Sequence, residues 1–399
     1  MLIEIILITA ILLIVYAYVG YPLLVRILCR LVPRPVIKLP IEPKVSLIIA
    51  AYNEEGIIAR KLANSFEQDY PPDKLEIIVA SDCSIDGTDQ IVRSHADRGV
   101  LLHRQSVRLG KTVAQNNAIR ISTGEVLVFS DATTMYKSNA LSRIVRSFAD
   151  PEVGCVAGQL VYTDDSRTAA GSGCQSYWSY ETMIRESESL LGSLIGVSGC
   201  FYAVRRSSYV RMACDMSSDF CIASEMRLQG LRTVYEPEAI SFETVNTSGR
   251  DEFAMRVRII EQTLSAMHVY RQLLDPRQSG LFAFQLISHK VLRYAVPLLL
   301  LIAFLSNALV AGESEIYRIL FAAQTGFYAL ALAGWVWERA GVRPGLAGLP
   351  YYFLLANAAS VVAFHKFMKG EAHVMWEPLR DNNAEETANS EIKAEGLAR

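Results

Sequence analysis

Asp131 closes the run Glu125-Val126-Leu127-Val128-Phe129-Ser130-Asp131. Four apolar or β-branched positions leading straight into a carboxylate read as a buried parallel strand that ends in a polar loop. Ligands of open α/β sheets sit where strands end, and a carboxylate there can hold a hard cation that in turn holds phosphates. The plain alternative is an Asp that caps the next helix. Two further carboxylates stand at comparable places. Asp82 follows Leu75-Glu76-Ile77-Ile78-Val79-Ala80-Ser81, where turn formation is its ordinary alternative. Asp219 opens an amphipathic run through Ile222, Met226 and Leu228, where it would otherwise be an N-cap. Three such sites together weigh against capping alone.

The elements that must position them can be read in order. Val45–Ala51 is a short strand followed by Tyr52-Asn53-Glu54-Glu55, then a helical stripe through Ile58, Leu62 and Phe66. A second strand ends at Ser81-Asp82-Cys83-Ser84-Ile85-Asp86-Gly87-Thr88, a helix starts at Thr88-Asp89, and Val100–Leu102 is a third strand. Asp86, before a glycine, reads as a turn residue. Strand, helix, strand, helix implies parallel crossovers and a doubly wound sheet. Neither GxGxxG after the first strand nor GxxxxGK[ST] occurs, so dinucleotide and P-loop readings lose their support. A nucleotide would be gripped by polar side chains at successive strand ends: Tyr52 and Glu54, then Asp82, then Asp131. Gly196–Arg206 reads as a glycine-flexed loop running into another strand.

The chain has 399 residues, 51% of them hydrophobic, with the excess at its two ends. A net charge of −2 gives no electrostatic footprint for nucleic acid. Seven cysteines without a CxxC pair, and six scattered histidines, exclude a zinc-site pattern and read as reduced packing residues.

Residues 1–30 form a nearly uncharged stretch long enough to cross a bilayer. Its start lacks the basic region of a leader, and Arg26, Arg30, Arg34 and Lys38 stand at its far end and just beyond it, placing the next domain in the cytoplasm. That domain spans 42–250. Amphipathic segments fill 251–290, with Phe253, Val257, Ile260, Leu264 and Met267 on one stripe that either packs on the domain or lies at the membrane surface. Three further spans are expected within 291–369, at about 291–311, 316–337 and 346–367, and a polar tail at 370–399. Span counting puts the tail outside, whereas Lys366 and Lys369 favour the inside. Spans without a charged pair between them offer no transport path. The expectation is a multi-pass protein of the cell (inner) membrane.

Ala51-Tyr52-Asn53-Glu54, Ser81-Asp82-Cys83-Ser84-Ile85-Asp86-Gly87-Thr88, Gly110-Lys111 and Phe129-Ser130-Asp131-Ala132-Thr133, in this order, resemble the landmarks of family 2 glycosyltransferases. The resemblance runs from about Val45 to Thr263. It implies a GT-A fold, an α/β architecture with a Rossmann-like, mixed but mostly parallel sheet, carried here by terminal transmembrane helices. It further implies a donor site made by Tyr52, Glu54, Asp82 (taking the uracil N3–H), Lys111 and Asp131, with Asp131 contacting Mg²⁺ or Mn²⁺. The family's Asp-x-Asp is Asp131-Ala132-Thr133 here, and a neutral hydroxyl is a poorer cation ligand, so weaker metal binding is expected. Asp219 takes the place of the general base, with Glu225 as substitute. Gly199 lies in the segment lining donor sugar and acceptor. The Gln-x-x-Arg-Trp of processive members is matched only by Met255-Arg256-Val257-Arg258-Ile259, which keeps Arg258 and lacks the sugar-stacking Trp. Trp178, with Tyr180 and Glu181, is either another sugar platform or core. The implied activity is inverting transfer from a UDP-sugar to a saccharide or lipid-linked acceptor in cell-surface polysaccharide synthesis, with other assembly subunits as possible partners. Transfer onto polyprenyl phosphate and a non-catalytic nucleotide-sugar-binding subunit are the alternatives.

Overall fold

The structure is a computed structural model that describes residues 1–163, 169–244, 249–342 and 344–371. Most of the expected polar tail, Arg343 and the side chain of Cys174 therefore lie outside the described residues.

Eight strands form one sheet: β1 Val45–Ala51, β2 Leu75–Ser81, β3 Val100–Arg104, β4 Val126–Asp131, β5 Met135–Tyr136, β6 Val153–Thr163, β7 Phe201–Arg205 and β8 Arg232–Thr244. Their order is β3-β2-β1-β4-β7-β6-β8-β5. β1 runs parallel to β2 and β4, and β2 parallel to β3. β7 is antiparallel to both β4 and β6, β6 and β8 are parallel, and β5 returns antiparallel to β8. The sheet is thus mixed and mostly parallel, as a GT-A fold requires.

Both faces are buried, and the period of two sorts the side chains. Val45, Leu47, Ile49 and Val128 enter one core, while Ile48, Ile78, Leu127 and Phe129 enter the other. Packing between β6 and β7 leaves no room for a side chain at Gly158, where a Cβ would stand 2.2 Å from the Phe201 ring.

Four helices are long and apolar enough to cross a membrane: Leu2–Leu31, Leu281–Val310, Glu315–Arg339 and Gly345–Met368. The second begins at Leu281, earlier than the expected 291, because Phe282 and Leu286 at its start pack on the domain core. The amphipathic helix Gly249–Val269 settles its own alternatives by facing two ways. Val257 and Ile260 pack on Ala359 and Ala363 of the last apolar helix, while Met267 joins the domain core.

The second apolar helix carries buried charged groups that pair with the domain rather than with another apolar helix. The first two apolar helices each contain one π-helical turn, Tyr16–Gly20 and Ile287–Val291, and these meet through Tyr16 and Ser288 hydroxyls 3.0 Å apart. Beside this contact His289 meets Glu188 at 2.7 Å and Glu181 at 3.0 Å, and Arg293 also pairs with Glu181. Both glutamates belong to the helix Ala169–Leu191, which leads away from the end of β6. Burial alone would raise the Glu181 carboxyl, but Arg293 and His289 outweigh it and hold it well below the usual carboxylate range. The second apolar helix is therefore keyed to the domain by charged groups as well as by apolar contact.

Removing one member of such a network leaves an uncompensated buried charge, at a cost of about 3–5 kcal/mol. His289→Leu is expected to lower the melting temperature of the detergent-solubilised protein by several degrees. An unchanged melting curve would show that the network contributes nothing to docking.

Candidate active site

Parallel pairing brings the carboxyl ends of β1, β2 and β4 to one edge, with Ala51 opposite Ser81 and Ala50 opposite Asp131. Tyr52, Asp82 and Asp131 therefore share that edge. β7 enters it from the opposite direction, with Phe201 beside Ser130, so the loop carrying Gly199 arrives next to Asp131. β6 and β8 run the same way as β4, which places the end of β8 there too.

Lys111 ties this edge together. Gly110 stands at φ 92°, a conformation natural for glycine, and turns the chain into the helix Lys111–Ala118. The Lys111 ammonium pairs with Asp131 and donates to the Gly199 carbonyl at 3.1 Å. Asp219 sits in the first turn of the helix Ser218–Leu228. Its Oδ1 accepts from the Ser217 hydroxyl and from the Phe220 N–H. Its Oδ2 faces Gly199, where an added Cβ would lie 3.8 Å from both Oδ2 and Lys111 Nζ. Glycine thus keeps open the space between carboxylate and ammonium. Arg258 faces Asp131 and Asp219: burial pushes its pKa down while the two carboxylates pull it up.

On the nucleotide side, Asp82 is 1% exposed. Its carboxylate accepts from Gln105 Nε2 at 2.7 Å and from the Leu109 and Gly110 N–H groups at 2.9 Å. A carboxylate has about four acceptor positions, so Asp82 chiefly shapes the 105–110 loop and keeps one position for a ligand. Tyr52 lies under the Arg108 guanidinium, 3.8 Å from its ring centroid. The Glu54 N–H donates to Thr88 Oγ1, and Asp86 accepts from both the N–H and hydroxyl of Thr88. Asp86 is the turn residue its sequence context implies.

Two candidates stand apart from this cluster. The Trp178 indole donates to the Leu160 carbonyl, meets Tyr162 edge-on and lies under the Arg185 guanidinium; it packs against the domain core. Glu225 accepts a hydrogen bond from the Tyr270 hydroxyl.

One residue escaped the sequence reading. β5 folds back on β8, with Met135 opposite Phe242, and so carries the Asp131–Thr134 loop against Glu243. Thr133 Oγ1 donates to Glu243 Oε1 at 3.1 Å. Burial, and then the charge of Asp131, raise the Glu243 carboxyl to about 7. A signal for it existed, since Glu243 is another carboxylate closing an apolar strand, through Ile240 and Phe242.

Two carboxylates that crowd each other around a hydroxyl fit a divalent cation, which would relieve their repulsion. Asp131, Glu243 and Thr133 are the residues that would hold it. Among the described residues no cluster of three His, Cys, Asp or Glu side chains could bind a metal, so diphosphate oxygens and water would complete the shell.

Residues 46–212 match the profile described as glycosyl transferase family 2. The poly-beta-1,6-N-acetyl-D-glucosamine synthase of Staphylococcus aureus (strain MSSA476) is 27% identical over 221 residues, covering 54% of this chain and 53% of the relative. The enzyme of the same name from Staphylococcus epidermidis is 26% identical over 223 residues, with the same coverage. The chain spans about half the length of the curated relatives it matches. Among solved structures, the mannosyltransferase PcManGT from Pyrobaculum calidifontis, in complex with GDP-Man and Mn²⁺, has a TM-score of 0.68 and 27% identity, covering 89% of this chain and 99% of that one.

If Asp131 and Glu243 hold the cation, Asp131→Ala removes the Mn²⁺ dependence of UDP binding, and Glu243→Gln raises the Mn²⁺ needed for half-saturation by at least about tenfold. Thr133→Asp lowers that requirement by adding a hard ligand. Calorimetry across a Mn²⁺ series decides it, and unchanged metal dependence in Asp131→Ala would remove the cation from this strand end. The ordered landmarks, the GT-A sheet they occupy and the profile match identify residues 46–212 as a glycosyl transferase family 2 domain.

Proposed function

We propose that this protein is a membrane-bound inverting glycosyltransferase that moves a sugar from a UDP-sugar to a saccharide or lipid-linked acceptor in cell-surface polysaccharide synthesis. The observation that carries the reading is the meeting of Asp131, Lys111, Gly199 and Asp219 around one open space. The cations suited to a diphosphate and a carboxylate suited to a sugar hydroxyl line the same cleft.

Lys111 releases Asp131 and turns to the diphosphate oxygens, since a phosphate offers the ammonium a stronger charge partner. A divalent cation, when bound by Asp131 and Glu243, supplies further neutralisation of the leaving diphosphate. Arg258 adds fixed positive charge in a buried setting, where it counts for more than in water. Asp219 Oδ2 takes the proton from the acceptor hydroxyl as its oxygen attacks the anomeric carbon, while Ser217 and the Phe220 N–H hold Oδ1 in place. Attack opposite the departing diphosphate inverts the anomeric centre. The Asp82-braced loop and Tyr52 hold the base, with the last acceptor position of Asp82 for the uracil N3–H. Four helices long and apolar enough to cross a membrane support a site at a bilayer, and the basic flank of the first helix favours the cytoplasmic side for the domain.

The loss of the stacking Trp from the Arg258 segment favours single-sugar transfer, and a polyprenyl phosphate is the corresponding second acceptor. Radiolabelled product partitioning as short lipid, rather than as polymer, would select that acceptor.

Asp219→Asn keeps the shape of the side chain and removes its ability to accept a proton, so turnover should fall about 10²–10⁴-fold with UDP-sugar affinity nearly intact. Turnover within a few-fold of wild type would sink the assignment. A panel of UDP- and GDP-sugars, read by nucleoside diphosphate release, should show UDP release. Release of GDP alone would move the donor to the other base.

A further inference from the structure

Lys61 lies on the helix Ile58–Phe66 and has no exposed surface at all. A buried ammonium is costly unless its surroundings compensate it. Burial lowers its pKa to about 7, while the charges of Asp131 and Glu243 act to raise it. Its Nζ donates to the Thr134 carbonyl and stands 3.7 Å from the centroid of the Tyr136 ring. One turn along the same helix, Asn64 donates to the Tyr136 carbonyl at 2.9 Å and accepts from the Tyr136 N–H at 2.8 Å. Two side chains of one helix therefore hold residues 134–136, the segment that carries Asp131 and Thr133 out of β4 and back against β8. A leucine or methionine would fill the Lys61 site without the desolvation cost. An ammonium is retained behind a pair of carboxylates.

We propose that Lys61 is a positioning residue of the cation site, fixing the Thr134 carbonyl so that Asp131 and Thr133 are held toward Glu243. This rests on the reading of Asp131 and Glu243 as the residues that hold the cation. Lys61 touches neither donor nor acceptor and acts through the loop alone.

The proposal has a sign that plain electrostatics would not give. Deleting a positive charge near a cation site should by itself tighten cation binding. Deleting the anchor of the loop should weaken it.

The test uses the full-length protein in detergent with Lys61→Met, which roughly keeps the volume. Calorimetric titration of UDP across a Mn²⁺ series should show the half-saturating Mn²⁺ concentration rising at least about tenfold, as when support for a metal ligand is lost. UDP binding in EDTA should be unchanged, and kcat should fall at fixed Mn²⁺ and recover as Mn²⁺ is raised. Mn²⁺ affinity that is unchanged or tighter would overturn the proposal. Should Lys61→Met fail to elute as a monodisperse, cooperatively melting species, Lys61→Gln serves instead; it carries no charge, is too short to reach the carbonyl, and is read by the same sign. Asp131→Ala separates the two levels. If it keeps Mn²⁺-dependent binding, the cation site itself is misplaced. If it loses that binding while Lys61→Met keeps it, only the role of Lys61 falls.

Discussion

Alignment of strand ends along one edge is the constraint on which the rest of this protein depends. A parallel pair cannot be joined by a hairpin, so each crossover returns the chain to the same end of the sheet. β1, β2 and β4 accordingly deliver Tyr52, Asp82 and Asp131 side by side. β7 contributes by opposing them: its first residue, not its last, lies at that edge, and the Gly199 loop arrives with it. A mixed sheet thus brings strand ends and a strand beginning to one place, which a wholly parallel sheet would not do.

Electrostatics then decide how that edge is used. Lys111 neutralises Asp131 and anchors Gly199, a contact that an anionic ligand could replace. Glu243 and Asp131 repel each other across Thr133, which favours any cation that enters. Lys61, on the far side of the loop, holds the backbone through which this repulsion would otherwise be relieved. The same economy appears at Asp82, whose three protein donors turn one carboxylate into the frame of a loop. In each case a charge is held by neighbours rather than by solvent, and the local geometry is correspondingly stiff.

The long apolar helices are part of this frame. Glu181 and Glu188, paired with His289 and Arg293, anchor the helix that follows β6, while the helix bearing Arg258 leans on the last apolar helix through Val257 and Ile260. The helix bearing Arg258 is therefore fixed to the apolar helices, and movement of those helices would reach the cleft through it.

Much of this was legible in the residues alone. The apolar runs that lead into Asp82 and Asp131 are local patterns, set by a period of two, and both are strands in the structure; the long apolar stretches are helices set by sheer length, the second beginning earlier than its pattern says. What the chain could not show locally was contact across long separations. Glu243 meets Thr133 only because β5 folds back on β8, and Lys61 reads in sequence as one more polar residue on a helix until the sheet closes over it. The Glu181–His289 pairing likewise needs two helices more than a hundred residues apart. The sequence determined which residues end the strands and hence the class of chemistry, because those signals are short-range. Only the tertiary structure decided which charges share a space, because burial and pairing belong to the packed chain and to no segment of it.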